Sequence, residues 1–363
     1  MDRRSLLKTA AIGAAASTLA APAIAQAVPE LKWRLTSSFP KSLDTLYGAA
    51  ESFARRVGQL SDNKFQIRVF APGEVVPALQ ALDAVQSNTV EMCHTASYYF
   101  VGKDLTFGFD AGVPFGLTAR QQHAWMMQGG GLQLMRDFMA EYSVVPMPMG
   151  NTGVQMGGWF RKELKTLDDM KGLKMRIPGI GGQIWAKLGA VPQQIAGGDI
   201  YPSLERGTID GGEWVGPHDD EKLGFYKVAP FYYYPGFWEA GTQISLLVNK
   251  SLWEGLPPIY RGMVEAAAAE ANGEMMSRYD HLNPQALRRL VAAGAQLRPY
   301  PREILAAAWK ATHELYDEFS AKNPKFKTVY EPWRKFRDDQ YLWFRVAELT
   351  YENFAFSAAQ TVR

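Results

Sequence analysis

Apolar and polar residues alternate at period two along Leu31-Lys-Trp-Arg-Leu-Thr36, which predicts a strand. The period then changes. Leu46, Ala50, Phe53, Val57 and Leu60 recur at steps of four and three, the single stripe of an amphipathic helix that runs to a turn at Ser61-Asp-Asn63. Phe65, Ile67 and Val69 alternate with Gln66 and Arg68 as a second strand, stopped by Ala71-Pro-Gly73. Residues 78–87 are compatible with a helix, and Val90-Glu-Met-Cys-His94 reads as a third strand. The order β-α-β-α-β predicts an α/β sheet with crossover helices. A helix over 119–142 and a strand near 144–149 follow.

From Gly150 the pattern restarts, with strands expected at 153–160 and 174–177 and a helix over 182–188. Residues 243–248 read as a strand returning to the first lobe. Pro257-Pro258 opens a long Ala-rich helix over 259–280, which Asn283-Pro284 should break or kink. The chain therefore crosses between lobes at least twice, as in hinged clefts that hold a ligand between two lobes. The expected division is 28–150 plus about 241–290 as one lobe, and 151–240 plus about 291–331 as the other. After Pro332 comes a C-terminal helical region, 332–363, with aromatics on more than one face, from Trp333 and Phe336 to Phe354 and Phe356. Such a helix is buried in its own fold or covered by a partner subunit.

With 363 residues, 47% hydrophobic and 21% charged, the chain can build two cores. Its single cysteine, Cys93, excludes an intramolecular disulfide and a Cys-based zinc site. The net charge of +2 belongs to the first 25 residues, which read as an export signal: Arg3, Arg4 and Lys8, an uncharged stretch, then Ala23 and Ala25 spaced for cleavage. Arg3-Arg4 followed by Leu6-Leu7-Lys8 resembles the twin-arginine consensus, with an ordinary Sec signal as the alternative. Removing 1–25 takes away three basic residues and Asp2, so the remaining chain has formal charge zero. No field for nucleic acid or an anionic membrane survives. No other segment approaches the ~20 apolar residues of a membrane span. A soluble protein outside the cytoplasm is expected.

Enzyme motifs are scarce. There is no G-x-S-x-G, H-E-x-x-H or G-x-x-x-x-G-K-[ST] pattern. Gly179-Ile-Gly-Gly-Gln-Ile184 departs from the dinucleotide fingerprint at its last position, and Pro178 interrupts the strand that should feed it. The five histidines are scattered; His218-Asp219-Asp220 alone sets one beside a pair of carboxylates, and it reads as a solvated loop. More informative is Arg176, near the end of a strand in Lys171-Gly-Leu-Lys-Met-Arg-Ile-Pro178. Strand ends are where open α/β lobes hold ligands, and a guanidinium matches a carboxylate with two parallel hydrogen bonds. Two further segments, Gly198–Trp214 and Phe231–Gly241, carry Glu213, Trp214, Trp238 and Glu239.

At these segments the chain resembles the solute-binding proteins of TRAP transporters, the tripartite ATP-independent periplasmic carriers. The D-x-x-K-G-L-K-x-R-x-P run from Asp168 to Pro178 is close to that family's signature, as is the run through Tyr201, Leu204, Gly207, Ile209, Asp210 and Gly211. Val113-Pro-Phe-Gly-Leu117 extends the resemblance into the first lobe. Gln155, Glu213-Trp214 and Glu239 make it most similar to the branch that binds 2-oxo acids, and similar also to the lactate-binding branch. The resemblance implies a two-lobed α/β fold like that of periplasmic binding proteins, a central cleft and a long connecting helix. It implies a receptor that delivers its solute to membrane permease subunits and performs no chemistry.

A cleft offering Arg176 to a carboxylate while holding Glu213 and Glu239 would repel its own ligand, since like charges at 4 Å cost about 4 kcal/mol at an effective dielectric of 20. A cation between them resolves the conflict. Glu213, Glu239, the Gln155 amide oxygen and the Trp214 carbonyl are hard donors suited to Na⁺, or alternatively Ca²⁺, bridging to the ligand. Tyr98 and Tyr99 match in position the loop by which family receptors approach the ligand from the other lobe; packing is the competing role for either. Ser37, Ser38 and Phe39 are weaker candidates. The competing function is a secreted lyase or isomerase of 2-oxo or 2-hydroxy acids, using Glu239 or a tyrosine as acid/base. Receptors of the 2-oxo-acid branch are similar in exchanging a C-terminal helix, so a homodimer through 332–363 is expected.

Overall fold

The computed structural model describes residues 28–361; the export signal read in 1–25 lies outside them. Two sheets carry the fold. The first is ordered β2-β1-β3-β10-β4, from strands β1 (Leu31–Ser37), β2 (Phe65–Phe70), β3 (Met92–Thr95), β4 (Val144–Asn151) and β10 (Gln243–Asn249). β1 lies parallel between β2 and β3, as a crossover order requires, whereas β10 runs antiparallel to both its neighbours. The second sheet is ordered β11-β9-β5-β8-β6-β7. Its strands are β5 (Trp159–Phe160), β6 (Lys174–Arg176), β7 (Val191–Gln193), β8 (Gly211–Gly212), β9 (Phe231–Tyr234) and β11 (Gln296–Pro299). This is a two-lobed α/β architecture with a cleft between lobes. Where the chain leaves β4 it runs beside its own return into β10: Thr152 N donates to the Thr242 carbonyl at 3.0 Å, and Asn151 Nδ2 to the Gly241 carbonyl at 3.2 Å.

The Leu46–Leu60 helix buries Leu46, Ala50, Phe53 and Val57 against the first sheet, while Leu60 at the helix end is 37% exposed. Several expectations need correction. Residues 119–142 form two helices, Ala119–Met127 and Gly131–Ala140. Gly130 adopts φ 82° between them, and a side chain at Gly131 would come within 2.5 Å of the Trp125 indole that the turn wraps. Of the strand expected at 153–160 only Trp159–Phe160 pairs, because positive-φ glycines at 153 and 158 take the intervening chain off the ladder.

The long helix does not break at Asn283-Pro284 but runs from Pro258 to Ala292. One lost backbone bond is outweighed beyond the proline by buried Ala286 and Leu290 and by a two-point Arg289–Glu221 ion pair at 2.8 and 2.7 Å. The Asn283 side chain is occupied too, accepting from His218 N at 3.0 Å. The C-terminal region is not one helix beginning after Pro332. It is a Pro324–Val346 helix with Pro332 inside it, followed by a Glu348–Thr361 helix. Trp333 is buried, Phe336 packs on the chain's own core and the Tyr341 hydroxyl donates to the Phe115 carbonyl at 2.5 Å. Leu342, Trp343, Val346, Leu349, Tyr351, Phe354 and Phe356 remain exposed.

Candidate ligand and cation site

Arg176 ends β6, and its guanidinium is fully buried between the lobes. Nε donates to the Ile195 carbonyl at 3.0 Å and Nη1 to the Glu213 carbonyl at 2.8 Å; Nη1 also pairs with Glu213 Oε1. Three of five N–H donors are thereby committed, leaving the two on Nη2. The guanidinium carbon stands 5.1 Å from the Trp214 ring centroid. Arg176 is held by Glu213, one of the two glutamates with which it is expected to share the site.

Glu213 and Trp214 follow β8, whose two glycines let the chain pass flat beside β5 and β6. Gln155 and Glu239 are brought together by backbone bonds: Gln155 N donates to the Glu239 carbonyl and Gly236 N to the Gln155 carbonyl, each at 3.0 Å. One end of the Gln155 amide then lies 2.5 Å from both Glu239 Oε2 and the Trp214 carbonyl oxygen, and the hydrogen-bond pattern makes that end the NH₂, with the amide oxygen accepting from the Thr152 and Thr242 hydroxyls at 3.1 and 3.2 Å. A hard cation at this point would instead be met by the amide oxygen. Glu213 Oε2, Trp214 Nε1 and Trp238 Nε1 are buried without a hydrogen-bond partner. The donor set, two carboxylates with an amide and a backbone carbonyl, fits Na⁺ or Ca²⁺. Among the described residues no group of three or more His, Cys, Asp or Glu could hold a metal ion by itself.

Burial pushes the carboxyl pKa of both glutamates up. For Glu213 the Arg176 charge works against that rise, whereas for Glu239 the charge of Glu213 adds to it. The Tyr98 phenol is raised by burial first and then by Glu239; Tyr99 is pushed up to about 12, by burial first. Both phenols are therefore neutral donors. They come from the Ser97–Phe100 turn after β3, with rings edge to face at 5.1 Å. Gly179, at φ 67°, lets the opposite lobe approach so closely that a Cβ there would sit 3.1 Å from the Tyr98 Cβ.

Tyr98, Tyr99, Gln155, Arg176 and Trp214 line one cavity, with Phe39, Leu46 and Ile244 adding apolar walls. It is closed down to about 10 Å³, room for roughly one water. A cavity of about 450 Å³ lies just outside, between Ser38–Lys41 of one lobe and Ala196–Asp199 of the other. Phe39, a weak candidate from sequence, meets Trp214 edge to face at 6.3 Å and so belongs to the wall. Trp238 packs in the second lobe's core.

His218-Asp219-Asp220 is the clearest correction. It is no solvated loop but part of the Pro217–Leu223 helix, with both aspartates buried. Asp219 accepts from the Tyr279 hydroxyl at 2.7 Å, and Asp220 from Trp159 Nε1 at 2.9 Å and the Tyr232 hydroxyl at 2.7 Å. Burial raises their pKa values to about 6 and about 7. Gly216-Pro217, a helix start with acids in its first turn, was the overlooked signal.

Two lobes closed over a buried guanidinium, paired carboxylates and neutral phenols define a receptor that encloses a small anionic solute. Residues 36–323 match the family model described as bacterial extracellular solute-binding protein, family 7, and the chain belongs to that family. It is 50% identical, over 99% of its length and 100% of the relative's, to a monocarboxylate 2-oxoacid-binding periplasmic protein of Nostoc sp. (strain PCC 7120). A TRAP transporter solute-binding protein from Bordetella bronchiseptica RB50, a mixed-occupancy dimer with copurified calcium and picolinate in one active site and an apo site beside it, is 51% identical. Its TM-score is 0.91, over 92% of this chain and 100% of that one. A TRAP periplasmic solute-binding protein from Pseudoalteromonas atlantica T6c, with bound sodium and pyruvate, is 37% identical. Its TM-score is 0.87, over 89% and 99% of the two chains. The chain is a TRAP solute receptor and not an enzyme.

Proposed function

We propose that this receptor works in the periplasm, takes up a small 2-oxo monocarboxylate of the pyruvate type together with Na⁺ or Ca²⁺, and delivers it to the membrane permease. The observation that carries the reading is the gathering of the Gln155 amide, the Glu239 carboxyl and the Trp214 carbonyl beside the buried Arg176–Glu213 pair. When bound, the cation supplies the positive charge that lets two glutamates and an anionic ligand share one dry cavity. Arg176 grips the ligand carboxylate, and Gln155, Glu213, Trp214 and Glu239 hold the cation. Tyr98 and Tyr99 donate from the opposite lobe and exclude water. Phe39, Leu46 and Ile244 add apolar wall with no second cation beside it among the described residues, which favours monocarboxylates over dicarboxylates. With about 10 Å³ inside, entry requires the lobes to part, hinging where 150–153 runs beside 241–243. The lobes in this reading are 28–150 with about 241–290, and 151–240 with about 291–331.

Two further parts of the reading concern the ends of the chain. Residues 1–25 direct export by the twin-arginine route, and the exposed apolar residues from Leu342 to Phe356 join two copies as a homodimer. A thermal-shift panel of mono- and dicarboxylates tests the solute class: melting temperature rises with pyruvate-type acids, which are recovered unchanged. A panel in which dicarboxylates alone stabilise the protein would overturn the reading.

A further inference from the structure

We infer that Asp220 is a positioning residue of the cation site, acting through the Trp214–Val215 peptide. A trans peptide carries its carbonyl and its N–H on opposite edges of one rigid plane, so whatever holds the Val215 N–H aims the Trp214 oxygen. Val215 N donates to Asp220 Oδ1 at 3.4 Å. On the other edge the Trp214 oxygen faces Gln155 beside Glu239. Asp220 is itself locked: its second oxygen takes the Trp159 Nε1 and Tyr232 hydroxyl donors, and those two rings stack at 3.9 Å between centroids. The carboxylate behind the peptide also polarises it in the sense that enriches the carbonyl oxygen, as second-layer carboxylates do for histidine ligands of metals. Asp219 faces the other way, toward Tyr279 on the Pro258–Ala292 helix. The adjacent aspartates thus divide between the helix and the site.

This rests on the proposed function only in taking the Trp214 carbonyl as a cation donor. The test is cation binding to the full mature chain without any oxo acid, by calorimetry with Ca²⁺ and by tryptophan-sensitised luminescence of Tb³⁺. Asp220→Asn offers one acceptor oxygen to three donors; the Tyr232 hydroxyl can turn to accept, but Trp159 Nε1 or Val215 N must go unpaired. We expect Asp220→Asn to raise the cation Kd about 10- to 100-fold and Tyr232→Phe about threefold. Asp219→Asn, equally buried but off the peptide, should stay within about twofold of wild type. Equal Kd values for wild type and Asp220→Asn, or equal losses in both aspartate variants, overturn the inference. If Asp220→Asn fails to fold, a Tyr232→Phe protein no weaker than Asp219→Asn overturns it instead. Wild type that binds Ca²⁺ but not pyruvate defeats the substrate reading and leaves this comparison intact; wild type that binds no cation defeats both.

Discussion

Arg176→Lys separates what the guanidinium does for the fold from what it does for the ligand. The wild-type side chain makes three hydrogen bonds within the protein, to Ile195 and Glu213. A lysine keeps the charge and can pair with Glu213, but it leaves the Ile195 carbonyl unsatisfied, at about 1–3 kcal/mol of stability. That loss falls on free and bound protein alike and does not alter affinity. What alters affinity is the grip on the ligand carboxylate: Nη2, the one guanidinium nitrogen not committed to Ile195 or Glu213, donates to it, whereas a lysine ammonium drawn to Glu213 loses that contact. One charge-assisted hydrogen bond is worth about 1.5–3 kcal/mol, so the Kd for pyruvate should rise roughly 10- to 100-fold. Calorimetric titration at saturating Na⁺ measures it, with circular dichroism as the check on folding. A folded Arg176→Lys protein with wild-type affinity would refute the assignment of Arg176 to the carboxylate.

Three more outcomes follow from the same geometry. Glu239→Gln, which replaces a carboxylate beside Gln155 and the Trp214 carbonyl by a neutral amide, should weaken cation-dependent pyruvate binding by at least about tenfold in calorimetry; unchanged binding would remove Glu239 from the site. Asp219 and Asp220 are raised from 3.8 to about 6 and about 7, and Glu213 and Glu239 are raised too. Each binds its proton more tightly folded than unfolded, so the stability this confers is full below the unfolded values and is lost as pH rises through the folded ones. The cation-free protein should therefore melt at lower temperature as pH goes from about 4 to about 8, with Ca²⁺ restoring the loss at the alkaline end; a melting temperature rising over that window would contradict it. Phe354→Asp, on a face exposed in the single chain, should convert a dimer to a monomer in light scattering without lowering the melting temperature of the monomer; a monomeric wild type at micromolar concentration ends the dimer proposal.

The periodic elements were readable because burial on one face imposes a period, and β1, β2 and the Leu46–Leu60 helix obey it. The segments where expectation failed obey something else. Between Gly129 and Gly131 the chain bends around an indole that lies within one turn, and no periodicity reports such a clash. Pro284 carried a correct local cost, but packing of the helix end outweighs it, which is a tertiary fact. His218-Asp219-Asp220 was misjudged because charged residues are ordinarily solvated; its partners Tyr232, Trp159 and Tyr279 lie far off in the chain. Arg176 stands out in the sequence by its strand end, and Gln155, Glu213 and Glu239 only by the family resemblance; the electrostatic conflict among the three charged residues gives that set a reason once it is named. That Arg176 and Glu213 pair directly required coordinates.

The central claim is that solute and cation bind as one unit, and pyruvate titration of exhaustively cation-depleted protein tests it most directly. The account predicts that pyruvate affinity falls at least about 100-fold on depletion, because two buried carboxyls then face an anion, and returns on adding Na⁺ or Ca²⁺. Undiminished pyruvate binding in the depleted protein would contradict it.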